Sequence, residues 1–188
     1  MWRGWQGLGH EDWRYAEYRK LGRSYWVVSF LGFHLMPTIW VYLGCLSLFP
    51  VFSSAGAFSP LDGLALVVTV AAIAMETTAD EQLRAFRRSH PSAGRVLDTG
   101  VWALCRHPNY LGELSFWWGL YLFGLAADPS KWWAIVGPVS ITLLFVFVSA
   151  PLLDRRSVAR RPGYERHMAR VPALFPRLFG SRAGGTGT

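Results

Sequence analysis

Charge, cysteine and lysine are scarce in this chain of 188 residues, and each scarcity excludes something. Only 16% of the residues are charged while 52% are hydrophobic. Length alone allows one soluble domain, but the hydropathy does not. Tyr25 to Phe58 carries no formal charge, Gly63 to Met75 is almost wholly apolar, and Leu114 to Ala127 and Trp132 to Leu153 are uncharged. About 20 apolar residues cross a bilayer core, so the expectation is an all-α membrane protein with four spans near 25–49, 60–80, 108–127 and 131–153. Two cysteines, Cys45 and Cys105, are too few for a disulfide framework and are expected to stay reduced. The first 23 residues lack the apolar core of a cleavable signal peptide. There are no internal repeats, and no metal site is expected.

What is abundant is aromatic and basic. Ten Trp, with Trp2, Trp5, Trp13, Tyr15 and Tyr18 set among charges, mark residues 1–24 as a segment lying in the membrane interface. The 19 basic residues fall in three blocks. Arg3, Arg14, Arg19, Lys20 and Arg23 precede the first span; Arg84, Arg87, Arg88, Arg95 and Arg106 separate the second from the third; the rest, Lys131 apart, follow Leu153. Four spans put all three blocks on one side, which is cytoplasmic by the positive-inside rule, as are both termini. The net charge of +7 then needs no nucleic-acid partner. A rim against anionic lipid accounts for most of it, and some of the arginines remain available for a phosphate. The tail from Gly180 to Thr188 is small, polar and expected to be disordered.

Four places carry candidate chemistry. In the first span, His34 and Pro37 interrupt an apolar run, and His34 is expected to pack against another helix. In the second, Glu76, Asp80, Leu83 and Arg87 share one helical stripe. A helix leaving the membrane, braced by an Asp80–Arg84 pair, explains the stripe as well as a binding face does. After a Gly-, Pro- and Ser-rich loop from Ser89 to Gly100 that carries Arg95, the run Cys105-Arg106-His107-Pro108-Asn109-Tyr110-Leu111-Gly112-Glu113 opens the third span. Pro108 suits a first helical turn, and Asn109 and Glu113 lie on one side of that helix, whose amide end favours an anion. Beyond the fourth span, Arg155, Tyr164, Arg166 and His167 either belong to a basic amphipathic tail on the membrane or cover a bound cofactor.

The blocks Ala79 to Arg87, Arg95 to Glu113 and Arg161 to Pro176, with Trp5, Gly9 and Glu11 to Tyr15, resemble the C-terminal half of the steroid 5-alpha-reductase family over roughly residues 2–179. The similarity is closest to bacterial members described as a domain of unknown function. The segment 25–179 is accordingly expected to be the membrane domain. The resemblance implies NADPH-dependent reduction of an activated carbon–carbon double bond in a steroid-like or other lipid. It implies Glu113 as the catalytic group, and Asp80, Arg87, Arg95, Arg106, Asn109, Tyr110, Arg155, Tyr164 and His167 as the cofactor set. Isoprenylcysteine carboxyl methyltransferases, which use S-adenosylmethionine, share the Arg-His-Pro-x-Tyr portion. The acid after Asn109-Tyr110-Leu111-Gly112 is the reductase feature. A third expectation is a non-catalytic membrane protein that keeps the fold. In the animal enzymes the proton donor is a Tyr on an earlier helix, backed by a Gln–Glu pair. Those helices precede the region matched, so a start upstream of Met1 or a truncated relative is expected, and neither Tyr110 nor Tyr164 takes the donor's position. With few lysines and many arginines the gene reads as GC-rich and bacterial, hence a plasma membrane. Membrane lipids and a lipid substrate are the expected partners, without nucleic acid or metal.

Overall fold

The computed structural model describes residues 19–54, 57–90 and 94–176. The expected interfacial segment lies outside these residues except for 19–24, and the expected disordered tail lies wholly outside them. All regular elements among the described residues are helical. We label them α1 (Gly22–Ser53), α2 (Pro60–Ser89), α3 (Pro108–Ala127), α4 (Pro129–Arg160) and α5 (Tyr164–Arg170). The chain divides into two compact units, Met1–Tyr42 and Leu43–Thr188.

By length and composition α1, α2 and α4 can cross a membrane. The third expected span, 108–127, is a helix where expected but is not among the three, because Asn109, Glu113 and four Trp or Tyr residues dilute its apolar content. The other spans are longer than the sequence reading made them. The charged end of α2, through Ser89, is helical as the stripe from Glu76 to Arg87 implies, and Asp154 to Arg160 continues α4 instead of ending it.

Proline sets most of the boundaries. A residue before proline avoids the helical region, because the ring collides with its amide and Cβ. Ser59, His90, His107, Asp128 and Arg161 all precede proline, and all are non-helical, with φ between −119° and −152°. Each of these five X-Pro steps therefore coincides with a helix start or stop in the second unit. At the start of α2, the Asp62 carboxylate also accepts hydrogen bonds from the amide and hydroxyl of Ser59, each at 2.8 Å.

Prolines inside the helical runs are absorbed differently. In the first unit, Pro37 follows a π-helical turn, Phe30–Leu35. In the second, Pro151 follows the π-helical turn Phe145–Ser149. Proline has no amide to donate, so a widened turn before it spares the ladder an impossible bond. His34, expected to be packed, is exposed, and its carbonyl accepts from the Thr38 hydroxyl at 2.7 Å.

In the second unit α2 and α3 run antiparallel in close contact. Ala65, Ala72 and Ala79 recur every seven residues on α2 and are buried. Gly112 and Gly119, also seven apart, meet α2 at Glu76 and Thr69. A Cβ at Gly112 would lie 2.8 Å from the backbone nitrogen of Glu76, so only glycine permits this approach. Gly124 abuts Ser47 in the same way, and Gly137 abuts Leu43 and Gly44.

Candidate functional site

The site is built around the C-terminal end of α2, the residues that introduce α3, and α5. Asp154, buried near the end of α4, is its hub. Its carboxylate receives Arg106 Nε at 3.2 Å, Arg106 Nη2 at 2.7 Å, His107 Nε2 at 3.0 Å and the Tyr164 hydroxyl at 3.2 Å. With a carboxylate as acceptor, the His107 proton is assigned to Nε2. Arg106 Nη1 donates to the carbonyls of Val171 at 2.6 Å and Met168 at 3.2 Å. Four of the five guanidinium protons are thus held internally, leaving one for any ligand. The backbone completes the join: the amides of Arg106 and His107 donate to the carbonyls of Pro172 and Ala173 at 2.8 and 3.1 Å. The tail after α5 is therefore stitched to the segment that introduces α3.

Burial pushes the Tyr164 phenol above 10, and the neighbouring Asp154 carboxylate pushes it the same way, so the hydroxyl stays a proton donor at neutral pH. Burial holds His167 below 6.5; Asp98 opposes this, while Arg106 and Arg170 reinforce it. Burial likewise pushes the Cys105 thiol up, which leaves it an unreactive thiol.

Beside this hub lies a cavity of about 370 Å³ whose wall includes Arg87, Arg95, Arg106, Arg160 and Arg161. His90, Trp102, Tyr164 and His167 complete its polar lining, and among the described residues no carboxylate lines it, Asp98 acting on His167 from outside the wall. Arg161 is half-engaged, with Nη1 at 3.4 Å from the Ser157 hydroxyl and its guanidinium 5.9 Å from the centre of the Tyr164 ring. No salt bridge among the described residues takes up Arg87, Arg95 or Arg160. Uncompensated guanidinium groups around a concave surface suit phosphate.

The loop that carries Arg95 is fastened at its far end. The Gln82 side chain accepts from the Val101 amide at 3.1 Å, and the Trp102 indole donates to the Ala79 carbonyl at 3.0 Å. Gly100, at φ 60°, lies against the Gln82 amide with no room for a Cβ.

Of the ten residues the sequence singled out, Arg87, Arg95, Arg106, Tyr164 and His167 line this cavity. The other five do not. Asp80 is half-buried on α2, and Arg84 pairs with Glu81 at 3.4 Å rather than with the Asp80 carboxylate, reaching only the Asp80 carbonyl. Asn109 and Tyr110 lie on the first turn of α3, where the Tyr110 ring stacks on His107 and meets Phe145 edge-on. Glu113 is half-buried beside Trp117 and within electrostatic reach of Glu76. Arg155 lines a different cavity. Arg166 is exposed, reaching toward Gly163. Sequence reasoning missed Asp154, Arg160, Arg161, His90 and Gln82 as site residues, and placed His107 in the candidate run without a role. By charge alone the arginine pair 160–161 falls with the basic rim; its position directly before Pro162-Gly163-Tyr164 is the available signal. Asp154 gave none beyond being an acid at the end of an apolar span.

The fold and site thus define a helical protein with helices long and apolar enough to cross a membrane and an arginine-lined pocket. The chain belongs to the family described as "protein of unknown function (DUF1295)", which it matches over residues 1–171. It is also 25% identical over 202 residues to the uncharacterized protein C594.04c of Schizosaccharomyces pombe. That alignment covers 95% of this chain and 58% of the yeast protein, so the chain spans little more than half of its relative. No solved structure matches it.

Proposed function

We propose that the protein is an NADPH-dependent reductase of an activated double bond in a lipid enone, with the basic cavity holding the phosphates. The observation that carries this reading is the convergence of Arg87, Arg95, Arg160 and Arg161 on a lining that has no carboxylate among the described residues. These residues come from α2, the following loop and the end of α4, so the pocket exists only in the folded chain. Bound there, the cofactor would supply hydride to the β carbon of the enone, with the α carbon taking its proton from water. The guanidinium groups hold and orient phosphate oxygens through charge-assisted, bidentate hydrogen bonds. Trp102 and His90 offer flat faces beside them. Asn109 and Glu113, one turn apart on α3, are proposed to hold a carboxamide or the polar end of the lipid. Arg106 positions Asp154, Tyr164 and the tail more than it grips ligand, since four of its protons are already held.

The methyltransferase reading is weaker on electrostatic grounds. S-adenosylmethionine carries a sulfonium cation, which a carboxylate-free wall of arginines repels. We place the three basic segments at the cytoplasmic face, with α3 as a fourth span and both termini on that side, in a bacterial plasma membrane.

The test is turnover by the purified protein in detergent or vesicles. We expect oxidation of NADPH on addition of a lipid enone, with equimolar loss of the double bond, and no methyl transfer from S-adenosylmethionine. Methyl transfer without NADPH oxidation would replace this reading with the other. NADPH binding without turnover on any enone would leave a non-catalytic binding protein.

A further inference from the structure

We infer that the groove between the C-terminal half of α4 and the segment after α5 binds an acidic membrane phospholipid, its acyl chain in the groove and its phosphate at Arg155. The cavity is about 720 Å³, within the size range of ligand sites. Its walls are apolar: Val146, Ala150, Val158, Met168, Leu174 and Phe175. Arg155 is exposed, and no salt bridge among the described residues takes it up. Arg106 and Asp154 close the floor, but they neutralise each other, and four donors already occupy the Asp154 carboxylate. The charge left over is therefore the cation at Arg155, which selects an anionic head.

Depth along α4 sets the occupant. Val146 lies within the uncharged stretch of a helix able to cross a membrane, and Arg155 is the first cation beyond that stretch. Nine residues of helix separate them, roughly 13 Å, close to the hydrocarbon depth of a single leaflet at roughly 15 Å. Apolar walls over that depth, ending at a cation, reproduce the polarity gradient of one leaflet lipid. The groove shares only Arg106 with the basic cavity. A lipid here is thus partitioned from that cavity by the Arg106–Asp154 pair, and the inference does not depend on what the basic cavity binds. It also gives Arg155, which lies away from the other arginines the sequence grouped with it, a ligand of its own.

The experiment is native mass spectrometry of the full chain in detergent, titrated with phosphatidylglycerol or with phosphatidylcholine of the same acyl chains. We expect phosphatidylglycerol to bind more tightly by on the order of tenfold, as one charge-assisted contact allows. Arg155→Gln should erase that preference and leave phosphatidylcholine unchanged. Val158→Trp, at a partly exposed wall position, should weaken both lipids by filling the groove. Arg87→Ala, added NADPH and inorganic phosphate should leave lipid binding as it was. Equal binding of the two lipids, or a preference that survives Arg155→Gln, would overturn the assignment. So would loss of phosphatidylglycerol through Arg87→Ala or displacement by NADPH, either of which would move the lipid to the basic cavity. Displacement by inorganic phosphate would show that the acyl chain is not needed.

Discussion

Asp154 accepts four hydrogen bonds while almost wholly buried beside Arg106, with side-chain exposures of 9% and 10%. Removing one member of such a pair strands the other charge in a poor solvent. Asp154→Ala should therefore cost roughly 3–5 kcal/mol, and Asp154→Asn less, read as a fall in thermal stability of the detergent-solubilised protein. The same variants should free the tail, seen as faster proteolysis after Arg170. Titration gives a second prediction at this scale. His167 is held neutral by burial, so the unfolded chain takes up a proton more readily as pH falls through 6.5. The stability contributed by the neutral ring is complete above that pH and is lost on acidification. His167→Gln should flatten the decline in stability between pH 7 and 5; an unchanged decline would assign it to other groups. Some of this was legible in the residues themselves. Arg87 and Arg95 are among the residues the family resemblance singles out, and both line the cavity, whereas Asp154 and Arg106 are 48 positions apart and only tertiary folding brings them together.

The close crossing of α2 and α3 rests on a repeat of small residues. Gly112→Leu should force the helices apart at Glu76 and Ala72, destabilising the protein by roughly 1–3 kcal/mol or more, as overpacking does. The latch at the end of the Arg95 loop is subtler. Gln82→Ala removes the acceptor of the Val101 amide without touching the cavity wall, so it should lower affinity for the cavity's ligand while leaving the unfolding temperature nearly unchanged. If Gln82→Ala and Arg95→Ala act through one loop, their effects should be less than additive. Helix existence was plain from apolar run length, but the ends were not. The stripe from Glu76 to Arg87 already carries α2 past its apolar run, whereas Asp154 to Arg160 reads as the tail beyond the membrane and is α-helix. The X-Pro steps at 90–91 and 161–162 mark where those helices stop, a stronger local signal than the change in polarity.

Among the described residues, three helices able to cross a membrane and a basic face at the end of α2 and α4 set the physical frame. The helices able to cross a membrane were legible in the sequence, because uncharged runs of about 20 residues are the length a membrane-spanning helix needs. The division of the arginines was not. Arg155 and Arg160 are five positions apart on one helix, yet they face separate cavities, and no periodicity in the sequence says which cavity each serves. The central claim is that the carboxylate-free cavity is a phosphate site for NADPH. The most direct test is equilibrium binding of NADPH and of NADH to the purified full chain, repeated with Arg87→Ala and Arg161→Ala. We predict tighter binding of NADPH than of NADH, with each variant losing about tenfold or more for NADPH and less for NADH. Equal affinity for the two cofactors, or NADPH binding indifferent to both substitutions, would contradict the account.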